Sequence, residues 1–311
     1  MISNTVPVID INQINNPQTL AELDTACREW GFFQVVNHGI PQDVIDEIFA
    51  QSRAFFAQPA TQKHEILRTQ SNPWGFYDRE LTKNRRDLKE IYDFGPPDGK
   101  TIRPQWPGRL PRFRNAVHAY YRQSERLAYR LLAAISTNLG MSPGYLSRDF
   151  DTGHTSFLRL NYYPVAATPT ALQNGGLGIG QHTDAGALTL LMQDGQPGLE
   201  VFRNNQWHLV EPRRDALVVN IGDIVQVWSN DYYFAALHRV IASSTKPRYS
   251  IPFFLSPAYH MNYAPLPTMV ADDRPARYRE INWGEFRALR AGGDYADHGE
   301  EIQIEHYRIS A

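Results

Sequence analysis

Between residues 157 and 255 the chain is divided into eight short apolar or alternating runs, each bounded by turn residues. Closely spaced short strands of this kind are typical of a sandwich or jelly roll. We therefore expect this part of the chain to form a β core. The predicted strands are 157–163, 187–192, 199–203, 207–210, 216–221, 224–228, 238–242 and 248–255.

The chain before this core has a helical pattern. Leu20, Leu23 and Cys27 recur at helical spacing, and apolar residues within 44–56 and 113–139 do the same. The run 32–37 is typical of a buried strand, and Gly140 stands where a helix C-cap is expected. One more helix is predicted over 282–290. The sequence therefore predicts a mixed α/β fold in which helices flank a β core.

Composition excludes several classes of protein. A net charge of −2 gives no basic footprint, so we expect no nucleic-acid partner. No apolar run reaches the roughly 20 residues needed to span a bilayer, and the polar first 17 residues do not resemble a signal peptide. Cys27 is the only cysteine, which excludes internal disulfides and sulfur-rich metal sites. We expect a cytoplasmic protein, with a monomer favoured, in which Cys27 is a small core residue.

The motif His182-Thr183-Asp184 is the strongest candidate for metal binding. On a strand, residues two apart point to the same face, about 6.6 Å apart along the backbone. An imidazole and a carboxylate placed in this way can converge on one ion. His238, 54 residues after Asp184, begins another predicted strand and supplies a third ligand. Two histidines and one carboxylate on one side of an ion leave the other side open, as in non-haem iron(II) oxygenases.

A His-x-Asp motif is weak by itself, because the chain has ten histidines and chance matches are common. His298-Gly299-Glu300, with His306 nearby, is such a match. It lies in a polar tail without a strand pattern, and we interpret it as solvated.

Two further pairs of residues accompany the predicted metal ligands. Arg248 and Ser250 share one face of a predicted strand, where a guanidinium and a hydroxyl can together bind a carboxylate. A buried arginine near iron needs an anion, and a dicarboxylate co-substrate supplies one. Asn161 and Tyr163 also share a face and can hydrogen-bond the same ligand. Each pair alone is a common match; Arg308-Ile309-Ser310 at the terminus is another of the same type.

In their order and spacing, these motifs resemble the isopenicillin N synthase-like family of iron(II)/2-oxoglutarate oxygenases. That family includes flavonol and anthocyanidin synthases, gibberellin oxidases and aminocyclopropane-carboxylate oxidase. The resemblance covers most of the chain. The segments that carry it are 6–10, 30–40, 74–77, 89–94, 158–164, 182–184, 237–240 and 247–250.

The resemblance implies a double-stranded β-helix, or jelly roll, flanked by helices. Its parts would be an N-terminal dioxygenase module (1–110), a supporting helix (111–150), the jelly-roll core (151–260) and a C-terminal extension with one helix (261–311). His38 matches a family position within the N-terminal module, and we interpret it as structural.

The resemblance also implies the cofactors and the chemistry. Fe(II) would be held by His182, Asp184 and His238, and O₂ and 2-oxoglutarate would be co-substrates. Arg248 and Ser250 would hold the distal carboxylate of 2-oxoglutarate, with Asn161 and Tyr163 assisting. The reaction would be hydroxylation, desaturation or cyclisation of a small-molecule metabolite, with release of succinate and CO₂.

The sequence does not identify the substrate. Arg159 can pair with an acidic substrate or form a surface salt bridge, and the aromatic candidates indicate a partly apolar molecule. The candidate pocket residues, taken from the family alignment or from shared strand faces, are Phe76, Tyr77, Phe94, Arg159 and Phe254.

Two segments depart from the family pattern. The glycine-rich segment 165–181 is predicted to be a loop, either a lid or a plain surface loop. The run 230–234 replaces a more usual Asn-Gly turn before His238, so the conformation of that turn is not predicted.

Three alternative functions are also open. They are a related oxidase that needs no 2-oxoglutarate, a non-catalytic β-sandwich that binds a ligand or structural Zn²⁺, and an oxygenase acting on macromolecules.

Overall fold

The structure is a computed structural model that describes residues 5–97, 99, 101–150, 153–166, 177–293 and 302–309. His298 and Glu300, of the motif interpreted as a solvated chance match, lie outside the described residues, as does most of the segment 165–181 that was predicted to be a loop. None of the described helices is long and apolar enough to cross a membrane.

The chain begins with a β–α–β unit. Strand β1 (Val8–Asp10) pairs in parallel with β2 (Phe32–Val36), and helix α1 (Pro17–Glu29) connects them. The side chain of Asn16 accepts a hydrogen bond at the N-terminus of α1. Gly31, with φ of 61°, ends the helix, and a Cβ there would lie 2.3 Å from a backbone oxygen. The predicted first helix and strand are confirmed.

Two longer helices support the β core. Helices α2 (Gln42–Phe56) and α3 (Ala60–Lys63) follow β2, and α4 (Phe113–Asn138) is 26 residues long. The apolar stripe of α4 is buried against α2 and the sheet, where Phe55 and Phe113 have ring centroids 5.2 Å apart. Helices α2 and α4 lie where the sequence predicted them, whereas the short α3 was not predicted.

The other strands are short. They are β3 (Gly75–Tyr77), β4 (Leu81–Thr82), β5 (Arg85–Arg86), β6 (Glu90–Phe94), β7 (Phe157–Tyr163), β8 (Leu177–His182), β9 (Leu188–Gln193), β10 (Leu199–Arg203), β11 (Gln206–Leu209), β12 (Ala216–Ile221), β13 (His238–Ile241), β14 (Arg248–Leu255), β15 (Asn262–Tyr263) and β16 (Ile281–Asn282).

Two sheets form the jelly roll. The major sheet has the order β1-β2-β12-β9-β14-β7-β6-β3, and the minor sheet has the order β11-β10-β13-β8. Pairing is antiparallel except between β1 and β2. The predicted jelly-roll fold with flanking helices is confirmed. Strands β1, β2, β3 and β6 join the major sheet, so four strands from before residue 95 share one sheet with the core.

Two predicted elements were wrong. The run 224–228, predicted as a strand, is part of helix α5 (Asp223–Trp228), in which every residue is buried. An apolar run this short lacks the periodicity that separates a buried strand from a buried helix. The end of the predicted loop 165–181 is strand β8, which its glycines obscured.

The C-terminal extension contains helix α6 (Trp283–Gly293), which confirms the last predicted helix. A 3-10 turn, Ile304–Tyr307, follows it. Trp283, Arg287 and Arg290 of α6 line the cavity that lies between the two sheets.

Candidate active site

The predicted metal ligands meet in this cavity. Strands β8 and β13 are neighbours in the minor sheet, and their register places His182 opposite His238. Asp184 Oδ1 lies 3.6 Å from His182 Nε2 and 3.7 Å from His238 Nε2. One ligand atom from each of the three side chains falls within 4.8 Å of the others. In the described part of the chain this is the one cluster with metal-ligand geometry.

The position of Asp184 differs from the strand geometry predicted for the motif. Strand β8 ends at His182, so Asp184 lies beyond the strand. Its backbone oxygen accepts a hydrogen bond from Asp223 N at 2.8 Å, at the start of α5. The ligands therefore converge because a strand end meets a helix start.

Hydrogen bonds orient each ligand. His182 Nδ1 lies 2.8 Å from the Gly180 carbonyl oxygen and His238 Nδ1 lies 3.0 Å from that of Ala236. A carbonyl can only accept, so each Nδ1 carries the proton and each Nε2 keeps a lone pair for a metal.

The carboxylate of Asp184 is held in the same way. Its Oδ2 accepts from Thr189 Oγ1 at 2.5 Å and from Asn220 Nδ2 at 2.8 Å, which leaves Oδ1 facing the histidines. The strand register places Thr189 of β9 opposite Asn220 of β12. Neither residue could be selected from the sequence, because each is an ordinary polar residue on a buried strand.

Electrostatics favour the metal-binding protonation states. Burial, reinforced by the positive charge of His238, lowers the pKa of His182 to about 3, so its imidazole is neutral at physiological pH. Burial opposes ionisation of Asp184. The histidine charges and the hydrogen bonds from Thr189 and Asn220 outweigh that effect and lower its pKa. A neutral His182 imidazole and an ionised Asp184 carboxylate are the forms that bind Fe(II).

A candidate anion-binding wall, formed by Arg248, Ser250, Asn161 and Tyr163, lies beside the ligands. Arg248 is 1% exposed; its Nη2 donates to Gln193 Oε1 at 2.9 Å and its Nε to the Gln196 carbonyl at 3.3 Å. Its Nη1 is buried and has no hydrogen-bond partner among the described residues. Ser250 Oγ accepts from Asn161 Nδ2 at 3.3 Å.

Register and stacking complete this wall. Ser250 lies opposite Asn161, and Arg248 lies opposite Tyr163 with its guanidinium 5.1 Å from the ring centroid. Asn161 Oδ1 also lacks a partner in the described structure. A buried donor and a buried acceptor left open in one cavity indicate a polar ligand.

Of the five residues predicted to contact the substrate, two line the cavity and three do not. Phe254 and Arg159 line the cavity. Arg159 does not form a surface salt bridge: its guanidinium binds the buried carboxylates of Glu80 and Asp93 at 2.7–2.9 Å.

Phe76, Tyr77 and Phe94 lie outside the cavity wall. Phe76 packs on Phe55, with ring centroids 6.0 Å apart, in the hydrophobic core. The Arg68 guanidinium lies 4.5 Å from the Tyr77 ring, and Phe94 packs on the aromatic residues of α4. Strands β3 and β6 are buried on both faces, so residue type did not reveal which face meets the cavity.

Three other residues considered in the sequence analysis have contacts that stabilise the fold. Cys27 is fully buried, as expected of a core residue. His38 Nδ1 accepts from Ile40 N at 3.1 Å within a turn. Arg308, of the second Arg-x-Ser match, pairs with Asp231 at 2.7 Å.

Comparisons with known proteins agree with this geometry. Residues 6–111 match the model for the N-terminal region of the non-haem dioxygenases in morphine synthesis. Residues 154–257 match the model for the 2OG-Fe(II) oxygenase superfamily.

Relatives extend the match to most of the chain. Flavanone 3-dioxygenase 2 of Oryza sativa subsp. japonica is 33% identical, over 90% of this chain and 82% of its own length. 1-Aminocyclopropane-1-carboxylate oxidase 5 of Arabidopsis thaliana is 31% identical, over 92% and 94%.

The crystal structure of JOX2 in complex with 2OG, Fe and JA superimposes with a TM-score of 0.85 and 29% identity, covering 99% of this chain and 90% of that one. With the His182–Asp184–His238 iron site, these matches show a non-haem iron enzyme that uses 2-oxoglutarate. The chain belongs to the isopenicillin N synthase-like family of Fe(II)/2-oxoglutarate-dependent oxygenases.

Proposed function

We propose that this enzyme couples the oxidative decarboxylation of 2-oxoglutarate to the oxidation of a small-molecule metabolite, with release of succinate and CO₂. The observation that carries the proposal is the buried guanidinium of Arg248, which has an unpartnered Nη1 in the cavity that contains the iron ligands. A buried cation with an open donor requires an anion, and the second carboxylate of a dicarboxylate co-substrate provides one.

Each residue of the anion-binding wall has a proposed role. Arg248 and Ser250 hold the distal carboxylate of 2-oxoglutarate, and Asn161 and Tyr163 support that end of the co-substrate. Gln193 and the Gln196 carbonyl fix the guanidinium, so little side-chain entropy is lost when the anion binds.

Around the iron, the protein provides position and exclusion of water. Bound Fe(II) supplies the activation of O₂. His182, Asp184 and His238 would hold the ion, and Thr189 and Asn220 fix the Asp184 carboxylate for this role. Phe157, Phe254 and other apolar residues of the cavity exclude water from the substrate carbon.

A second candidate is an oxidase of the same fold that does not consume 2-oxoglutarate. The similarity to 1-aminocyclopropane-1-carboxylate oxidase 5 favours it. The Arg248–Ser250 pair does not exclude it, because an arginine and a hydroxyl can bind a carboxylate other than that of 2-oxoglutarate.

The test is a metabolite screen under ¹⁸O₂ with Fe(II) and 2-oxoglutarate. We expect a coupled substrate to raise succinate formation, with one labelled oxygen in succinate. A second labelled oxygen in the product indicates hydroxylation, and an unlabelled oxidised product indicates desaturation or cyclisation. Oxidation of a metabolite without succinate would favour the second candidate.

Location and assembly remain predictions. We propose a monomeric, cytoplasmic enzyme that acts on a small molecule rather than on nucleic acid. Size-exclusion chromatography with light scattering tests the monomer, and a dimer would contradict it.

A further inference from the structure

The charged side chains around the cavity are almost all paired. Arg159 binds Glu80 and Asp93, and Lys89 Nζ lies 2.6 Å from Glu80 Oε2. Lys89 also lies 3.0 Å from Asp87 Oδ2. These cations therefore have carboxylate partners within the protein and are not free to bind a substrate anion.

Two other arginines that line the cavity, Arg248 and Arg290, also have partners or a proposed ligand. Arg248 faces the proposed 2-oxoglutarate site. Arg290 donates to the carbonyl oxygens of Thr183 and Ile302 at 2.9 and 3.2 Å and to Gln303 Oε1 at 2.6 Å. Its guanidinium tethers α6 to the residue between the first two iron ligands.

Arg287, one turn before Arg290 on α6, is different. It lines the cavity, is half-buried, and lies 6.0 Å from the centroid of the Phe157 ring. No carboxylate in the described part of the chain forms an ion pair with it. It is thus a cation at the cavity wall whose charge the described residues do not neutralise.

The surfaces next to Arg287 are flat and apolar. Phe157 and Phe254 are stacked, with ring centroids 4.5 Å apart and planes inclined by 18°. Trp283 also lines the cavity, and its indole Nε1 donates to Thr155 Oγ1 at 2.9 Å. Because that donor is satisfied, the indole offers the cavity an apolar surface.

The hairpin formed by β4 and β5 carries further positive charge. Leu81 and Thr82 of β4 line the cavity, and the rest of this hairpin carries Lys83, Arg85 and Arg86, all exposed. Exposed positive charge on this hairpin attracts anions to this part of the surface.

We propose that Arg287 selects the substrate: a small molecule with a flat apolar body and one carboxylate, which pairs with the Arg287 guanidinium. A single cation between apolar walls matches one negative charge. A phosphate would bring a second charge that this wall leaves uncompensated, at a desolvation cost. The proposal rests on the proposed function, since it concerns the same cavity.

The experiment uses pairs of acids and their amides as probes: phenylacetate, cinnamate and indole-3-acetate, each with its carboxamide. Anaerobic calorimetry measures their affinity for the Fe(II)- and 2-oxoglutarate-loaded enzyme, and succinate formation measures their effect on turnover. We expect at least one acid to bind about tenfold or more tightly than its amide, the loss typical of removing one charged hydrogen bond.

Variants assign the preference to Arg287. R287Q should bring acid affinity to that of the amide, and R287K should retain part of the preference. The control R279Q removes an exposed arginine of the same C-terminal extension and should keep the full preference. Melting temperatures establish that each variant is folded.

Three results would overturn the proposal: no acid is preferred to its amide, R287Q keeps the preference, or R279Q loses it equally. Succinate formed without any probe separates this failure from that of the proposed function. If iron-dependent succinate persists without an acid preference, only the role of Arg287 fails; if succinate is never formed, the coupling to 2-oxoglutarate fails.

Discussion

At the scale of single residues, Arg248 combines complete burial with an open hydrogen-bonding position. A buried guanidinium with an unsatisfied donor destabilises the folded protein unless a ligand accepts a hydrogen bond from it. Its neighbours on both adjacent strands supply polar atoms: Gln193 from β9 and Asn161 and Tyr163 from β7. The sheet register thus assembles the anion-binding wall from residues that are distant in sequence.

Replacing Arg248 with Leu should weaken 2-oxoglutarate binding by about a hundredfold or more, because one carboxylate would remain buried and unpaired. Anaerobic calorimetry on the Fe(II)-loaded enzyme measures the affinity. Arg308→Leu is a matched control, since it removes an arginine from the other Arg-x-Ser match and should leave the affinity unchanged. Equal affinities in wild type and Arg248→Leu would refute the assignment.

Residues of the candidate site could be predicted only where they belong to short sequence motifs. His182, Asp184 and Arg248 belong to such motifs, and strand alternation predicted which of their neighbours share a face. Thr189 and Asn220 were missed, because their contact with Asp184 depends on the pairing of β9 with β12. Arg287 was missed as well, because helix periodicity alone does not tell which loop or sheet a surface residue meets.

At the scale of elements, the turn before His238 has an unusual conformation. Asn230 and Asp231 have φ of 54° and 65°, in the left-handed region that favours glycine. Asn230 offsets this strain with hydrogen bonds to the Met269 and Pro275 carbonyls. The departure from an Asn-Gly turn is therefore accommodated by contacts with the C-terminal extension.

Asp231 links this turn to the C-terminal extension. Burial opposes its ionisation, but hydrogen bonds from Arg308, Tyr278, Arg277 and Gln226 lower its pKa to about 2. Since the folded pKa lies below the unfolded value of about 3.9, Asp231 stabilises the fold fully above about pH 4. That stabilisation declines as pH falls towards 2.

Asp231→Asn tolerates the same backbone conformation but lacks the charge. We expect a lower melting temperature than wild type at pH 7, and a difference that shrinks as pH falls from 4 towards 2. Asp215→Asn, which removes an exposed ion pair with Arg213, is the control and should change little. A difference that is constant from pH 7 to pH 3 would contradict the role of the charge.

Helix α5 begins beside the iron ligands. Gly222, at its N-cap, has an ordinary φ of −101°, but a Cβ there would lie 2.1 Å from the Gly186 carbonyl oxygen and 2.9 Å from that of Asp184. Both neighbours are backbone atoms, so the chain around Asp184 must move to accept a side chain. Because 224–228 was predicted to be a strand, the sequence did not predict this contact at the start of a helix.

Gly222→Ala should therefore destabilise the apo-protein by about 1–3 kcal/mol and weaken Fe(II) binding. Urea unfolding and competition with a metal chelator measure the two effects. Gly108→Ala is the control, because a Cβ at Gly108 meets open space. A Gly222→Ala protein with wild-type stability and iron affinity would show that this close approach is unimportant.

At the scale of the whole molecule, the jelly roll was predictable because period-two alternation and turn residues mark most of its strands. The joining of the N-terminal strands to the major sheet was not, since β2 pairs with β12 and β6 pairs with β7, both far along the chain. The division into segments 1–110, 111–150, 151–260 and 261–311 remains a prediction. Both sheets and α6 contribute to one cavity, so iron, co-substrate and substrate sites depend on the complete fold.

The most direct test of the iron and 2-oxoglutarate assignment is the ratio of succinate formed to O₂ consumed by the Fe(II)-loaded enzyme with 2-oxoglutarate. We predict one succinate per O₂ in the wild type and no iron-dependent succinate in Asp184→Ala, which lacks the carboxylate ligand. Consumption of O₂ without succinate, or full activity in Asp184→Ala, would contradict the account.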